Sequence, residues 1–333
     1  MNVDLRLFND VNLHAQAVPG WAQDYCQLGR GALVSSLQQV STSSFLVFRE
    51  TFSRQVAQFG ACPDRRLCLA VSDSEPRDVS SGWAWRPDSQ VVMLRNCEEF
   101  MLHAPQGLSL VAANVDYERF LQLADLHLSK AQKALALSAR SLDLSEAAVW
   151  RLRQALLRIV AQPTGVRRTS RAPDMVDSVL DEMVFSTVLD LFEAAEHVRS
   201  TTRYGGSVRS YIVRRSRELM EDCRGRAMSV LDLCAHLRVS RRTLQASFQS
   251  EVGIGPLEYQ RNLRLNAVRR RLTETTSQVL AVGDAAAEMG FFHLSHFARH
   301  YRELFGERPS DTLRADGRPT IAQAGHRESI RIP

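Results

Sequence analysis

Apolar residues follow two rhythms along the chain. Between residues 23 and 115 they fall in short runs, Gly31–Leu37, Phe45–Phe48, Leu67–Val71 and Val91–Leu94, parted by Gly, Pro, Asp and Ser clusters. Short apolar runs bounded by turn formers read as strands, so this stretch predicts a small antiparallel sheet or barrel. From about Tyr117 the spacing becomes helical. Leu142-Asp143-Leu144-Ser145 reads as a helix entry, with Val149, Leu152, Leu156, Ile159 and Val160 on one face until Pro163 stops it. Residues 164–172, with Gly, Ser and three arginines, read as a loop. Pro173 then opens a second helix whose apolar positions are Val176, Val179, Leu180, Met183 and Leu191. Two amphipathic helices after a sheet suggest a dimer face, although packing back on their own sheet is equally allowed.

Past a polar, glycine-bearing stretch at 199–206 the pattern repeats about every 53 residues. Leu244, Phe248, Val252, Gly253 and Pro256 line up with Phe297, Tyr301, Phe305, Gly306 and Pro309. Upstream, Leu233, Leu237 and Val239 line up with Ala285, Met289 and Phe291 at a spacing of 52, so the second turn is one residue longer. Self-similarity at a fixed period marks a duplicated supersecondary unit. Each copy reads as a short helix, a turn and a second helix: Val230–Leu237 with Arg241–Glu251, then Val282–Met289 with Leu294–Leu304. Helices joined this tightly make a helix-turn-helix, whose second helix fits the major groove of DNA. Pro256 starts a longer helix, to Glu274, that would hold the copies at fixed separation, with Tyr259, Leu263 and Ala267 as its inner stripe beside Arg261, Arg264 and Arg271.

The two second helices have comparable faces. In the first, Leu244, Phe248 and Val252 form the predicted buried stripe, leaving Arg241, Arg242, Gln245 and Gln249 outward. In the second, Leu294, Phe297, Tyr301 and Phe305 form the stripe, with Ser295, Arg299 and Arg302 outward at i, i+4 and i+7, and His293 and His296 beside them. Arginine can fork onto guanine and glutamine onto adenine, while Ser240 and Arg241, near a helix start, are placed to meet phosphate. Either face alone reads as a solvated helix surface. Two equivalent arginine-bearing faces in one duplicated motif favour DNA.

Charge follows the same division. Residues 203–333 hold 22 arginines and no lysine against 14 acidic residues, a net charge of +8, while residues 1–202 hold 20 basic and 23 acidic residues, a net charge of −3. A basic half joined to a slightly acidic one suggests that one half meets a polyanion. The length of 333 residues fits two domains. The start, Met1-Asn2-Val3-Asp4, is not that of a leader, and no apolar run is long enough to span a bilayer, so a cytoplasmic location is expected. The six cysteines, Cys26, Cys62, Cys68, Cys97, Cys223 and Cys234, form no Cys-x-x-Cys pair and read as reduced, mostly buried thiols.

The run Asp284-Ala285-Ala286-x-x-x-Gly290-Phe291-x-x-x-Ser295-x-Phe297-x-x-x-Tyr301-x-x-x-Phe305-Gly306-x-x-Pro309-Ser310 resembles the AraC/XylS signature, with Tyr301 where phenylalanine is usual. The stretch 230–245, with Gly253-Ile254-Gly255-Pro256 and residues 264–270, is further similar to the ethanolamine-operon regulator branch. The resemblance covers about residues 207–315. It implies an α+β chain: a regulatory and dimerisation domain over 1–200, built as a small cupin-like antiparallel barrel with helices, a linker at 201–206, a seven-helix DNA-binding domain with two helix-turn-helix units over 207–315, and a flexible tail over 316–333.

Other chemistry is thinly represented. His293, His296 and His300 fall at i, i+3 and i+7, but no cysteine or carboxylate is arranged to complete a metal site. His14, His103, His127 and His197 are scattered. No Gly-x-Gly-x-x-Gly, phosphate loop, Gly-x-Ser-x-Gly or His-Glu-x-x-His occurs, so neither an enzyme nor a cofactor is expected. Trp83, Trp85 and Phe100 could line a small-molecule pocket, though aromatics in a sheet are more often core. The reading is a sequence-specific regulator, an activator acting as a dimer, set against a nonspecific architectural DNA binder or an enzyme with an appended DNA-binding region. Candidate partners are double-stranded DNA, a second copy of the chain, RNA polymerase and a small-molecule effector of the N-terminal domain; no membrane contact is expected.

Overall fold

The computed structural model describes residues 1–73, 90–161, 173–195, 208–222, 227–276 and 278–312. The predicted loop at 164–172, linker at 201–206 and tail at 316–333 lie outside them, as do Trp83, Trp85, His197 and Cys223. Among the described residues no helix is long and apolar enough to cross a membrane.

The N-terminal half is built on two antiparallel sheets. One has seven strands in the order β1-β3-β4-β9-β6-β7-β10, formed by β1 (Asn2–Phe8), β3 (Ser35–Ser41), β4 (Phe45–Phe52), β6 (Arg66–Ser72), β7 (Gln90–Arg95), β9 (Ser109–Asp116) and β10 (Ser141–Asp143). The other has the order β2-β5-β8, formed by β2 (Ala22–Gln27), β5 (Val56–Ala61) and β8 (Glu99–Ala104). The short helix α1 (Val11–Ala17) precedes β2, its first turn capped by the Asp10 carboxylate, which accepts from the Asn12 and Leu13 amides.

The central strands of the large sheet are buried on both faces, with side chains alternating between two cores. Leu67, Leu69 and Val71 of β6 face the helices, whereas Cys68 and Ala70 face the small sheet. Strands covered on both faces read as continuous apolar runs, which is why β4, β6 and β7 are visible in the sequence. The helical layer comprises α2 (Tyr117–His127), α3 (Lys130–Ser138), α4 (Glu146–Val160) and α5 (Pro173–Ala194). Ser145 caps α4, accepting from the Ala148 amide, and Val149, Leu152, Leu156, Ile159 and Val160 are all buried, each contributing about 1.5–3 kcal/mol. The apolar set expected of α5 divides. Leu180 and Leu191 are buried, but Val179 and Met183 are 54% and 47% exposed, because α5 is apolar on two faces and only one packs against α2, α3, α4 and β9.

The C-terminal half contains α6 (Val208–Asp222), α7 (Val230–Leu237), α8 (Arg241–Glu251), α9 (Pro256–Glu274), α10 (Val282–Glu288) and α11 (Leu294–Phe305), six helices among the described residues against the seven that the resemblance implies. They enclose two cores. Leu233, Leu244, Phe248 and Val252 meet Tyr259 and Leu263 in the first, and Ala285, Phe297, Tyr301 and Phe305 meet Leu265, Val268 and Leu272 in the second. α9 therefore serves both cores. Its inner stripe runs on through Leu265, Val268 and Leu272, and Ala267 is only half-buried.

The halves share a buried contact centred on β2 and α9. The Gln27 amide donates to Asn266 Oδ1 at 2.9 Å, and Asn266 Nδ2 donates back to the Gln27 carbonyl at 2.9 Å. Asn262 Nδ2 donates to the Leu28 carbonyl. Arg269 pairs with Asp10 at 2.7 Å, and Arg270 pairs with Asp24. Cys26, Leu28, Ala57 and Phe59 enter the core of the first helical unit. Gly306, at φ 75°, lies so close to Ala32 that a Cβ there would stand 2.7 Å from the Ala32 nitrogen, so both the backbone and the neighbour call for glycine.

Candidate nucleic-acid interface

Each helical unit is set by its caps and turn. Ser229 and Asp232 cap the start of α7 reciprocally, and Arg238 ends it in the left-handed conformation at φ 55°. Ser240 then caps α8, its Oγ accepting from the Thr243 amide at 3.1 Å and lying 2.9 Å from Thr243 Oγ1. Ser240 thereby fixes where α8 begins, and it remains exposed. In the second unit Gly290, at φ 73°, makes the corresponding turn, and His293 precedes α11 without a side-chain cap hydrogen bond.

With Leu244 and Phe248 buried, α8 turns Arg241, Arg242, Gln245 and Gln249 to solvent. Gln249 Nε2 donates to the Gly253 carbonyl at the helix end, leaving the first three free to reach a groove. His293 just ahead of α11, and Ser295, His296, Arg299 and Arg302 on it, are all exposed, whereas Phe297, Tyr301 and Phe305 are buried. Leu294 departs from expectation. It is 52% exposed at the first residue of α11, and Leu304 takes its place in the buried set. Leu294 lines a hollow with Val282, Ala298, Arg302 and Pro309.

The histidines of α11 do not converge. His293 and His296 have ring centroids 6.2 Å apart, while His300 Nδ1 turns to Glu303 at 3.3 Å. Among the described residues no three histidine, cysteine, aspartate or glutamate side chains are grouped to hold a metal.

Not all of the basic charge faces outward. Arg264 donates to the Met289 carbonyl at 2.6 Å with its guanidinium 4.4 Å from the Phe291 ring centroid, and burial lowers its pKa. Arg217 lies 3.4 Å from the Phe59 ring centroid, and Arg269 and Arg270 hold the N-terminal half. Charge counting credited these four arginines to the polyanion-facing surface. The residues they join are distant in sequence, and no local pattern reveals them.

In the N-terminal half, Phe100 lines a cavity between the two sheets, edge-on to Trp21 at a centroid distance of 5.7 Å. Cys26, Cys62 and Cys68 are buried free thiols, Cys234 is half-buried and Cys97 is exposed.

Comparison with known proteins bears on the same region. Residues 233–315 match the family described as a helix-turn-helix domain. The XylDLEGF operon transcriptional activator 3 of Pseudomonas putida is 38% identical over 97 residues, which is 29% of this chain and 29% of that protein. The chain thus aligns with less than a third of that relative's length. The crystal structure of a probable AraC family transcriptional regulator from Rhodopseudomonas palustris is 34% identical, covering 33% of this chain and 99% of that one, with a TM-score of 0.30. ToxT from Vibrio cholerae covers 93% of this chain and 96% of that one at 11% identity, with a TM-score of 0.30. The C-terminal half carries an AraC-type helix-turn-helix domain, homologous to the DNA-binding half of XylS/AraC-type transcriptional regulators.

Proposed function

We propose that the chain is a sequence-specific transcription regulator that reads two successive major grooves with α8 and α11. The observation carrying this reading is the duplication itself: two helices 53 residues apart bury matched stripes and expose Arg242 with Gln245 on one and Ser295 with Arg299 on the other. A helix fits the major groove, and these side chains have the donors to distinguish bases there. Successive grooves on one DNA face put the two helices about 34 Å apart. Arg241, at the start of α8, serves phosphate.

The relatives' description as activators supports activation, with RNA polymerase as a partner and a cytoplasmic location. Dimerisation is supported by Met175, Val179 and Met183 of α5, which are 71%, 54% and 47% exposed at a spacing of four while the opposite face of the helix is buried. Such an apolar stripe is suited to a second copy of the chain. A dimer raises the effective concentration at paired sites.

Titrating the full chain against a selected duplex and a scrambled one over a range of salt tests the reading. A regulator binds the selected duplex roughly 10³-fold or more tighter. Equal affinity for both would leave the architectural alternative.

A further inference from the structure

Strand β1 closes one end of the seven-stranded sheet. All seven of its residues pair with β3, from Asn2 with Ser41 to Phe8 with Ser35, and among the described residues no backbone hydrogen bond joins its outer edge to another element. An unpaired edge is a row of donors and acceptors that a further strand can complete. Sheets commonly block such an edge with proline or a bulge, and β1 has neither.

The two faces of β1 differ. Val3 packs into the core beneath the helical layer and Phe8 into the core between the sheets, so odd-numbered residues face the helices and even-numbered ones the small sheet. Leu5 and Leu7, on the helix side, run past that cover and are 53% and 72% exposed. Their β3 neighbours, Gln38 and Ser36, are polar and only half-buried. On the other face Asp4 and Arg6 form an ion pair at 2.5 Å. The strand is thereby complementary to itself read backwards. Antiparallel pairing of two β1 strands centred on Leu5 overlaps all seven residues, with Leu5 facing Leu5, Val3 facing Leu7 and each Asp4 facing an Arg6. Moving the centre to Asp4 or to Arg6 sets like charges directly opposite each other, which is destabilising.

We propose that β1 pairs edge to edge, antiparallel and centred on Leu5, with β1 of a second copy of this chain, joining the two large sheets into one. The charge pattern selects this occupant, because an acid and a base two residues apart meet their complements on a strand of the same spacing run the other way. The apolar face agrees, since Val3, Leu5 and Leu7 of each copy cover those of the other. Thr42 donates to Asp181 of α5 at 2.7 Å, next to the Asn2–Ser41 pair, so α5 lies at that end of β1. Antiparallel pairing carries those ends apart, and the contact is therefore a self-association surface separate from the exposed stripe of α5. It rests neither on the DNA reading nor on association through α5.

The test follows self-association of the full chain by sedimentation velocity, unsubstituted and with Asp4→Arg, with Arg6→Asp and with both substitutions together. Each single variant sets like charges opposite each other twice across the two-fold axis and is expected to weaken association by about tenfold or more. The double variant brings opposite signs back together and is expected to associate like the unsubstituted chain. Mixing the two single variants in equal amounts is expected to restore association as well, because each then meets its complement; two misfolded chains would not recover in this way. Association through α5 is common to every arm and leaves these differences intact. Single variants that associate as strongly as the unsubstituted chain would overturn the proposal. So would a double variant or a mixture as weak as the single variants, or an unsubstituted chain that stays monomeric up to about 100 μM.

Discussion

Arg238 and Gly290 end the first helices of the two units in the same left-handed conformation, φ 55° and 73°, at equivalent positions of the duplicated motif. Glycine adopts that conformation freely and arginine does not. Arg238→Gly is therefore expected to raise stability by about 0.5–1 kcal/mol, and Gly290→Ala to lower it by about 1 kcal/mol or more. Denaturant unfolding of the two variants measures both. A destabilised Arg238→Gly would mean that the Arg238 side chain has a role its exposed position does not reveal.

The outward residues of α8 should divide by task. Gln245→Ala removes a base-reading group and is expected to cost about 1–3 kcal/mol at the preferred site while leaving random duplex nearly unaffected. Arg241→Ala removes a phosphate contact, so it is expected to weaken both duplexes alike and to lower the salt slope by about one unit. Binding isotherms at several salt concentrations distinguish the patterns, and identical behaviour of the two variants would contradict this division.

Asn266 satisfies both the amide and the carbonyl of Gln27 across 239 residues of sequence, in a buried site. Asn266→Ala leaves both groups without a partner and is expected to cost about 2–4 kcal/mol. Hydrogen exchange at the Gln27 amide should accelerate more than exchange in β4 or β9. An unchanged rate at Gln27 would mean that the clamp contributes nothing to holding the halves together.

Acid should loosen the same contact. Burial, and then the nearby Arg217 charge, lower the His103 pKa to about 4. The groups facing it are the Tyr259 hydroxyl of α9, Arg217 of α6 and the Phe59 ring of β5. With the imidazole neutral in the folded chain and titrating near 6.5 when unfolded, the unfolded state binds more protons below pH 6.5. Stability is thus full above that pH and falls as pH drops toward 4, by roughly 3 kcal/mol at most from this residue. His103→Gln is expected to flatten the slope between pH 6.5 and 4 in thermal unfolding. A slope unchanged by the substitution would assign it to other groups.

What the sequence makes legible follows from where each segment is buried. β4, β6 and β7 are covered on both faces and stand out as apolar runs. β2 and β5 carry Gln23, Asp24 and Gln58 because one face lines a cavity and the other docks on α9, so neither shows the alternation of a half-buried strand. The ten proposed DNA-facing residues are all exposed because their positions follow from two copies of one pattern, each checking the other. Periodicity places Val179, Met183 and Leu294 inside, yet all three are exposed, since periodicity identifies an apolar face without saying what covers it. The pairing of Asn266 with Gln27 leaves no local signature at all.

The central claim is that two duplicated helices read two sites one helical turn apart. Selection of bound sequences from a random duplex library by the full chain, repeated with Arg242→Ala and with Arg299→Ala, tests it most directly. The expected result is a preferred sequence with two conserved boxes about 10 base pairs apart, one relaxed by Arg242→Ala and the other by Arg299→Ala. A single box altered by both substitutions, or no preferred sequence at all, would contradict it.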